Sequence, residues 1–319
     1  MTAVLQSLLV NRIAREAEDV VSVELRHPQR AELPCWEPGA HLDLYLPSGR
    51  IRQYSLCSDP ADRTLYRVAV LRVADGRGGS IEIHDGSLVG RELKVIGPRN
   101  HFALCGAENY LLIAGGIGVT PLLAMARELT RLGRRWSMIY GGRARASMAF
   151  TTELAALGGP LDIVPQDERG LPELETAIRA CPPDTAVYCC GPESLLQAVQ
   201  PLCARYLAAG ALHVERFNAA PTGTASETGQ DRAFEVKLAQ SGHMFIVPPG
   251  RSVLDAVLDV LPDTPYSCRD GYCGTCEVTV LEGTPEHRDE VLTEAERDSG
   301  ETMMICVSRA KSRRLKLDL

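Results

Sequence analysis

Four cysteines near the end of the printed sequence constrain this chain more than any other feature. The first three have the spacing C-x4-C-x2-C, and the fourth follows after a further 29 residues. Four thiolates with this spacing are typical of a [2Fe–2S] cluster site. Gly271 and Gly274 lie between them, where a loop around an inorganic core needs positive φ. A zinc site, which usually shows two C-x2-C pairs, and inert buried thiols are the alternatives. The candidate metal ligands are Cys268, Cys273, Cys276 and Cys306.

The length and charge of the chain limit the number of domains and the kinds of partner that we expect. A chain of 319 residues is long for one core and predicts two or three domains. The net charge of −7 without a basic stripe argues against nucleic acid as a partner. The apolar runs at 110–114 and 119–126 are shorter than the roughly 20 residues of a membrane span. The N-terminal residues do not have the pattern of a secretory leader. We therefore expect a cytoplasmic monomer that contacts no membrane, with the other seven cysteines as small apolar residues.

Residues 1–105 are predicted to form a small antiparallel β-barrel. Short alternating strands are separated by turn signals about every ten residues, as at 20–25, 41–46 and 65–71. The segment 97–102 is interpreted as a turn that leaves the barrel.

Two segments of this domain carry groups suited to ligand binding. Arg52, Tyr54 and Ser55 begin a strand with groups that can meet a phosphate, flank an aromatic ring and reach a ring nitrogen. The glycines of segment 76–80 let backbone N–H groups turn toward an anion, and Ser80 is predicted to cap the helical turn that follows. An exposed polar strand and a flexible hairpin loop are the respective alternatives.

Residues 106–218 alternate buried strands with helices, which predicts a doubly wound parallel α/β sheet. Ligands bind such sheets at the carboxyl ends of the strands. Three turns, 115–121, 141–143 and 190–192, are expected on that rim.

The first of these turns resembles a phosphate-binding turn without matching its fingerprint. Its glycines permit close backbone approach, and the N-terminus of the following helix favours a pyrophosphate. Thr120 is the predicted N-cap and Pro121 the predicted first helical residue. The pattern G-x-G-x-x-G is not met, because Pro121 stands where its last glycine would be.

The last third of the chain is predicted to be a linker and an α+β domain. Residues 219–230 are small, polar and proline-bearing, which is typical of a mobile interdomain linker. Residues 231–319 combine strands with one helix around the cysteine loop, as in a ferredoxin-type β-grasp. Residues 230–319 hold 16 acidic and 11 basic side chains, so this part is either a solvated acidic face or a docking surface for a basic partner.

These motifs together resemble the phthalate dioxygenase reductase family over essentially the whole length. The order of flavin, nicotinamide and ferredoxin domains is specific, since related reductases with an N-terminal ferredoxin usually carry FAD. The resemblance implies FMN, NADH and a [2Fe–2S] cluster as cofactors. The matching segments are 52–56, 76–80, 115–121, 188–192, 287–289, 306–312 and the cluster cysteines.

The resemblance also implies the residues that hold each cofactor. Leu71 departs from the family pattern, which has lysine there, although Arg72 is adjacent. Ser55 and Cys190 would lie near the site of hydride transfer. The residues expected at FMN are Arg52, Tyr54, Ser55, Ala69, Val70, Leu71, Gly78, Gly79, Ser80, Thr120 and Phe217. Those expected at the dinucleotide are Gly115, Gly116, Gly118, Arg143, Cys190, Gly191 and Pro192.

The function implied by the resemblance is that of an electron-transfer reductase component of an oxygenase or demethylase system. Electrons would pass from NADH to FMN, then to the cluster, and on to a terminal oxygenase of the Rieske or cytochrome P450 type that docks near the cluster domain. No general acid or base is required. NADH is expected over NADPH because Asp167 and Glu168 disfavour a 2′-phosphate, whereas Arg143 and Arg145 argue the other way. A stand-alone reductase of a small acceptor and a redox sensor are the alternative functions.

Overall fold

The computed structural model describes residues 4–217 and 231–319. The chain divides into two compact units, one ending at Phe217 and the other beginning at Asn218. The predicted linker, 219–230, lies outside the described residues. The domain boundaries given above stay predictions.

The first part of the chain forms an antiparallel sheet that curls on itself, as predicted. Within residues 4–100 the strand order is β4-β3-β6-β1-β2-β5. A bridge between Leu56, just past β4, and Val68 on β5 joins the two ends of this order. The elements are β1 Val4–Ala17, β2 Val20–Arg26, β3 Ala40–Tyr45, β4 Ile51–Ser55, β5 Tyr66–Leu71, α1 Gly79–Asp85 and β6 Glu92–Asn100.

Two local predictions in this sheet are wrong. Residues 97–100 of the expected exit turn are part of β6, because Gly97 pairs with Val4 and Asn100 with Ala40 across the sheet, and the chain leaves the strand only after Asn100. Ser80 does not cap α1, whose N-cap is Gly78 in the left-handed conformation, φ 80°. The Ser80 hydroxyl instead accepts a hydrogen bond from the N–H of Val73, 3.1 Å away. Both errors arise because hydrogen-bond partners outside the segment decided the local structure. Strands β1 and β3 pair with residues 97–100, and the N–H of Val73 binds the Ser80 hydroxyl.

The middle part forms the predicted parallel sheet with helices on both faces. Within residues 109–215 the strand order is β11-β10-β7-β8-β9, and every neighbouring pair is parallel. The strands are apolar because both faces are covered, by α2 and α3 on one side and by α5 and α6 on the other. The elements are β7 Asn109–Gly115, α2 Val119–Arg131, β8 Arg135–Gly142, α3 Thr151–Ala156, β9 Leu161–Pro165, α4 Gln166–Arg169, α5 Leu174–Arg179, β10 Thr185–Cys190, α6 Glu193–Tyr206 and β11 Leu212–Glu215.

The start of α2 differs from the prediction. Its N-cap is Gly118, so Thr120 and Pro121 lie inside the first turn. A 3₁₀ turn, Gly116–Gly118, precedes the helix and continues into it. The Thr120 hydroxyl donates to the carbonyl oxygen of Ile117, 3.0 Å away, and is thereby occupied within this turn.

The curled sheet and the parallel sheet share one apolar core. Ala69 and Cys57 from the curled sheet are buried in the same cluster as Leu122 and Met125 of α2. An ion cluster spans the same boundary, since Arg67 on β5 donates to Glu153 on α3 at 2.9 and 2.7 Å. Arg127 on α2 binds the same carboxylate.

The second unit forms a mixed sheet of the predicted β-grasp type. Its order is β13-β12-β18-β14-β16 within residues 231–319, with β12 and β18 parallel and the other described pairs antiparallel. Ser252 caps α7 by accepting a hydrogen bond from the N–H of Asp255, and the helix packs on the core. The elements are β12 Phe234–Leu238, β13 Met244–Val247, α7 Val253–Leu258, β14 Glu277–Glu282, β15 Pro285–Glu286, α8 Glu294–Ser299, β16 Thr302–Met304, β17 Arg309–Ala310 and β18 Arg314–Leu317.

Among the described residues, no helix combines the length and apolar character needed to cross a bilayer.

Replacing Glu153 by Gln is expected to destabilise the first unit by about 1–3 kcal/mol. The Glu153 side chain is 33% exposed, which places the pair between a surface pair and a buried one. Burial raises the pKa of Glu153, but Arg67 and Arg127 outweigh it and lower that pKa below its usual 4.5. The stability that the ionised Glu153 carboxylate contributes is therefore fully present above pH 4.5 and is lost as the pH falls below it.

Urea unfolding followed by circular dichroism measures this effect. The matched control is Glu128→Gln, which removes a single pair, within one helix, with the exposed guanidinium of Arg131 and is expected to change stability much less. Equal losses in the two variants would contradict a stabilising role for the cluster around Glu153.

Candidate electron-transfer sites

The cysteine loop of the second unit has the backbone that a wrapped inorganic core requires. Gly271 and Gly274 adopt φ 77° and 73°, which confirms the expectation of positive φ, and Arg269 shares this region at 65°. The loop turns back on its own sulfurs. The N–H of Cys268 points to Sγ of Cys273 at 3.4 Å, and the N–H of Asp270 points to Sγ of Cys268 at 3.3 Å.

The four cysteine side chains converge, although one comes from a distant segment. All four are between 2% and 6% exposed. Cys268 is within hydrogen-bond reach of Cys273 and of Cys306, and Cys306 also reaches Cys276. Contact with Cys268, together with burial, raises the pKa of the Cys273 thiol. Several buried sulfurs at contact distance favour a cationic group that stabilises thiolates, so the donor set fits an iron–sulfur cluster.

A buried carboxylate supports this loop from behind. Asp289 is 3% exposed and accepts from the N–H groups of Val291 and Leu292 at 3.2 and 3.0 Å. The Ser308 hydroxyl donates to its other oxygen at 3.2 Å. The next N–H, that of Glu290, donates to the carbonyl oxygen of Gly271 at 2.9 Å. The segment after the loop therefore fixes the position of Gly271.

The predicted phosphate-binding residues of the first unit lie together. A Cβ built on Gly79 would be 2.6 Å from Cγ and Nε of Arg52, so only glycine allows this approach. The Arg52 guanidinium donates to the carbonyl oxygens of Ile51 and Arg77, both at 2.7 Å. The neighbouring Arg50 is instead paired with Glu82 at 3.4 Å. A guanidinium beside a glycine turn suits the phosphate of a flavin nucleotide.

Strand β5 presents its predicted flavin residues to opposite sides. Ala69 and Leu71 pack with the core shared with the parallel sheet. Val70 is fully buried in the other core, inside the curled sheet. Its carbonyl oxygen lies 2.9 Å from Nε2 of His84. The Val70 side chain is therefore a core residue, and a contact with flavin would involve its backbone.

The glycine turns on the rim of the parallel sheet pack tightly against each other. A Cβ on Gly118 would lie 2.2 Å from the carbonyl oxygen of Cys190, and one on Gly115 would lie 2.6 Å from Cδ of Pro192. A Cβ on Gly191 would be 2.9 Å from Cα of Gly115. These three glycines are required by loop-on-loop packing. Gly116 differs, because its φ is 55° and a Cβ there would meet nothing within 4 Å.

A carboxyl group that the sequence analysis missed joins the residues expected near hydride transfer. Glu215 Oε2 accepts from the Ser55 hydroxyl at 3.3 Å and lies 3.9 Å from Sγ of Cys190. The residue as a whole is partly exposed, but its carboxyl group is enclosed. Burial raises the pKa of Glu215 to about 8, although the hydrogen bonds with Ser55 and Cys190 oppose the shift. The only sequence signal was its position between His213 and Phe217 in the motif H-x-E-x-F.

Three further predicted residues differ in their surroundings. Phe217 is partly buried against the shared core. Tyr54 is partly exposed and packs against the core of the curled sheet. Arg143 is exposed, and its carbonyl oxygen accepts from the N–H of Asp167 at 3.1 Å.

Comparison with known proteins gives consistent matches over the chain. A family model described as "2Fe-2S iron-sulfur cluster binding domain" matches residues 236–311. The phenoxybenzoate dioxygenase subunit beta of Ectopseudomonas oleovorans is 43% identical over 98% of this chain and 97% of its own length. The phthalate dioxygenase reductase of Burkholderia cepacia is 39% identical over 95% of this chain and 94% of its own.

Two solved structures resemble the described fold. An intact type IV self-sufficient cytochrome P450 monooxygenase has TM-score 0.88 and 40% identity over 99% of this chain. This chain spans only 41% of that protein. A phthalate dioxygenase reductase, described as a modular structure for electron transfer from pyridine nucleotides to [2Fe-2S], has TM-score 0.71 and 37% identity over 99% of this chain and 98% of its own.

Replacing Glu215 by Gln is expected to change how stability depends on pH. In the folded state Glu215 keeps a proton up to about pH 8, whereas its usual pKa is 4.5. The wild-type chain therefore loses stability as the pH rises through this window, and the Gln variant lacks this loss. The melting temperature of the wild type should fall relative to the variant by about 10 °C between pH 5 and pH 8.5.

The control for this comparison is Glu108→Gln, which removes an exposed carboxyl group paired with Arg134. Its melting curve should stay parallel to that of the wild type across the same pH range. Parallel curves for Glu215→Gln as well would show that the Glu215 carboxyl is not held protonated.

Proposed function

The chain belongs to the phthalate dioxygenase reductase family, and we propose that it carries electrons from NADH through FMN and a [2Fe–2S] cluster to a separate terminal oxygenase. It is an oxidoreductase that serves as the electron-transfer component of an oxygenase system. FMN, when bound, accepts a hydride and releases single electrons, and the cluster carries one electron at a time. The protein supplies position and electrostatics. The single observation that carries the proposal is the convergence of four buried cysteine side chains in the second unit.

The four cysteines Cys268, Cys273, Cys276 and Cys306 would hold the cluster. Their burial keeps water from the sulfurs, and the N–H groups of Cys268 and Asp270 point at two of them. Such hydrogen bonds stabilise negative charge on sulfur and raise the reduction potential of a cluster. The role of the loop is thus to bind the cluster and to adjust its potential.

Arg52, with Gly78, Gly79 and Ser80, would hold the flavin phosphate. The proximity of Arg52 to Gly79 supports this assignment for the guanidinium. The Ser80 hydroxyl accepts a hydrogen bond from the N–H of Val73, so its own O–H would still be able to donate to the phosphate, as would its backbone N–H. Tyr54, Ser55, Ala69, Val70, Leu71, Thr120 and Phe217 would surround the rest of FMN, with Val70 acting through its backbone.

The nicotinamide nucleotide would bind along the rim of the parallel sheet. Gly116 offers open backbone there, while Gly115, Gly118, Gly191 and Pro192 shape the rim by packing. Ser55, Cys190 and Glu215 form a small hydrogen-bonded group whose protonated carboxyl avoids a negative charge next to the reacting rings.

The preference for NADH rests on the charges at the exposed rim. Glu168 pairs with Arg145 at 3.1 Å, which offsets the charge that would attract a 2′-phosphate. Asp167 is exposed beside them and would repel such a phosphate. Arg143, on the same rim, would contact the nucleotide.

A terminal oxygenase is the partner that the relatives support. The matches include a dioxygenase subunit and a cytochrome P450 that contains a similar segment, so both Rieske and P450 partners fit. We place the docking surface near the cluster loop, where Arg269 and Asp270 are exposed. Monomeric state and cytoplasmic location stay predictions from the sequence.

Replacing Cys273 by Ser should separate the two halves of the relay. NADH oxidation by ferricyanide is expected to continue, because ferricyanide accepts electrons from flavin, whereas reduction of cytochrome c should fall by at least about tenfold when the cluster is lost. Cys35→Ser, at an exposed cysteine of the first unit, is the control and should leave both activities intact. Undiminished cytochrome c reduction in Cys273→Ser would refute the proposed route.

Replacing Arg52 by Gln should weaken FMN binding about 10- to 100-fold. Loss of a charged hydrogen bond to phosphate is worth about 1.5–3 kcal/mol. Titration of the flavin-free protein with FMN, followed by flavin fluorescence, measures the change without relying on activity. Arg12→Gln is the matched control, since Arg12 lies on β1 and pairs with Glu24. An equal effect of the two substitutions would contradict the assignment of Arg52.

A further inference from the structure

One exposed thiol of the first unit lies outside the proposed cofactor sites and has an imidazole beside it. Cys105 lies on the connection between β6 and β7 and is exposed. Its Sγ is 3.6 Å from Nε2 of His213 on β11. Burial lowers the pKa of His213, so the imidazole is neutral near pH 7 and can accept the thiol proton. A thiol with an adjacent base is the arrangement that activates cysteine as a nucleophile.

The backbone of the same cysteine is tied to the interior of the parallel sheet. The N–H of Cys105 donates to the hydroxyl of Tyr188 at 2.6 Å, and the hydroxyl of Tyr110 donates to its carbonyl oxygen at 2.8 Å. The ring of Tyr188 stacks on that of His213 with centroids 4.6 Å apart. Tyr188 is fully buried on β10 and precedes Cys190 by two residues. A change at the thiol therefore has a direct packing route to the rim where Cys190 lies.

We propose that Cys105 and His213 form a covalent modification site for small electron-poor alkenes of the Michael-acceptor class, and that its occupation weakens use of the nicotinamide nucleotide. In this addition Sγ of Cys105 bonds to the β-carbon of the alkene while its π bond breaks. The π electrons move toward the adjacent carbonyl group. Nε2 of His213 takes the thiol proton and returns it to the α-carbon, so the reaction is a balanced addition without an oxidant.

The structure gives a reason for the effect on nucleotide use. An adduct on Sγ enlarges the side chain at the point where it meets His213. Because His213 is stacked on Tyr188, its displacement disturbs Tyr188 and the hydrogen bond from Cys105. Strand β10 carries this disturbance to Cys190, Gly191 and Pro192. This second half of the inference rests on the proposed function, whereas the reactivity of the thiol does not.

The reactivity is tested on the holoprotein with N-ethylmaleimide below stoichiometric amounts, followed by peptide mapping. Cys35, which is also exposed, serves as the internal control in the same molecule. We expect Cys105 to be labelled at least about tenfold faster than Cys35. His213→Gln should bring the two rates within about twofold of each other. Equal rates in the wild-type protein would overturn the modification site even if the variant did not fold.

The coupling is tested by NADH oxidation with ferricyanide before and after labelling. The KM for NADH should rise several-fold on labelling in the Cys35→Ser protein and stay constant in Cys105→Ser, with labelling at Cys105 verified by mass. A KM that does not change at full labelling overturns the coupling. A protein that labels at Cys105 but oxidises no NADH would instead contradict the proposed function.

Discussion

The shared carboxylate of Glu153 connects the curled sheet to the parallel sheet of the first unit. Arg67 comes from the curled sheet and Arg127 from the first helix of the α/β part, and both bind this group. Arg67 also lies 5.0 Å over the ring of Phe150, just before the helix of Glu153. The apolar core continues across the same boundary, so the two sheets pack as one body. The contact of Glu215 with Ser55 and Cys190, which we propose lies beside the reacting rings, depends on this packing because Ser55 comes from one sheet and the other two from the other sheet.

A different constraint organises the second unit. The cysteine loop spans nine residues, and Gly271 and Gly274 within it take left-handed conformations that other residues rarely adopt. Loop turns of this kind have no hydrogen-bond ladder of their own. The segment around Asp289 provides the missing support through its carboxylate and through the N–H of Glu290. The positions of the sulfurs thus depend on Asp289 and Glu290, which are not among the predicted cluster ligands.

The order and type of the strands could be read from the sequence because each is a local pattern. Alternating residues gave the antiparallel strands, and apolar runs gave the parallel ones, within a few residues of their bounds. Helix starts were less predictable. Thr120 and Ser80 are good capping residues by composition, yet Gly118 and Gly78 occupy the N-caps. The Thr120 hydroxyl binds the carbonyl oxygen of Ile117, and the Ser80 hydroxyl binds the N–H of Val73. The two helices begin directly after Gly118 and Gly78 instead.

The sequence by itself determined the cluster ligands proposed here, the glycine turns and the order of the folds, since each depends on residue type and spacing along the chain. The tertiary structure decided what several of those residues do. It placed Gly115, Gly118 and Gly191 in a packing contact between two loops. It also buried the Val70 side chain in the core of the curled sheet. It also brought Glu215 to Ser55 across 160 residues. The physical reason is that burial and hydrogen-bond partners, which set the protonation of a carboxyl group, are fixed only when distant strands meet.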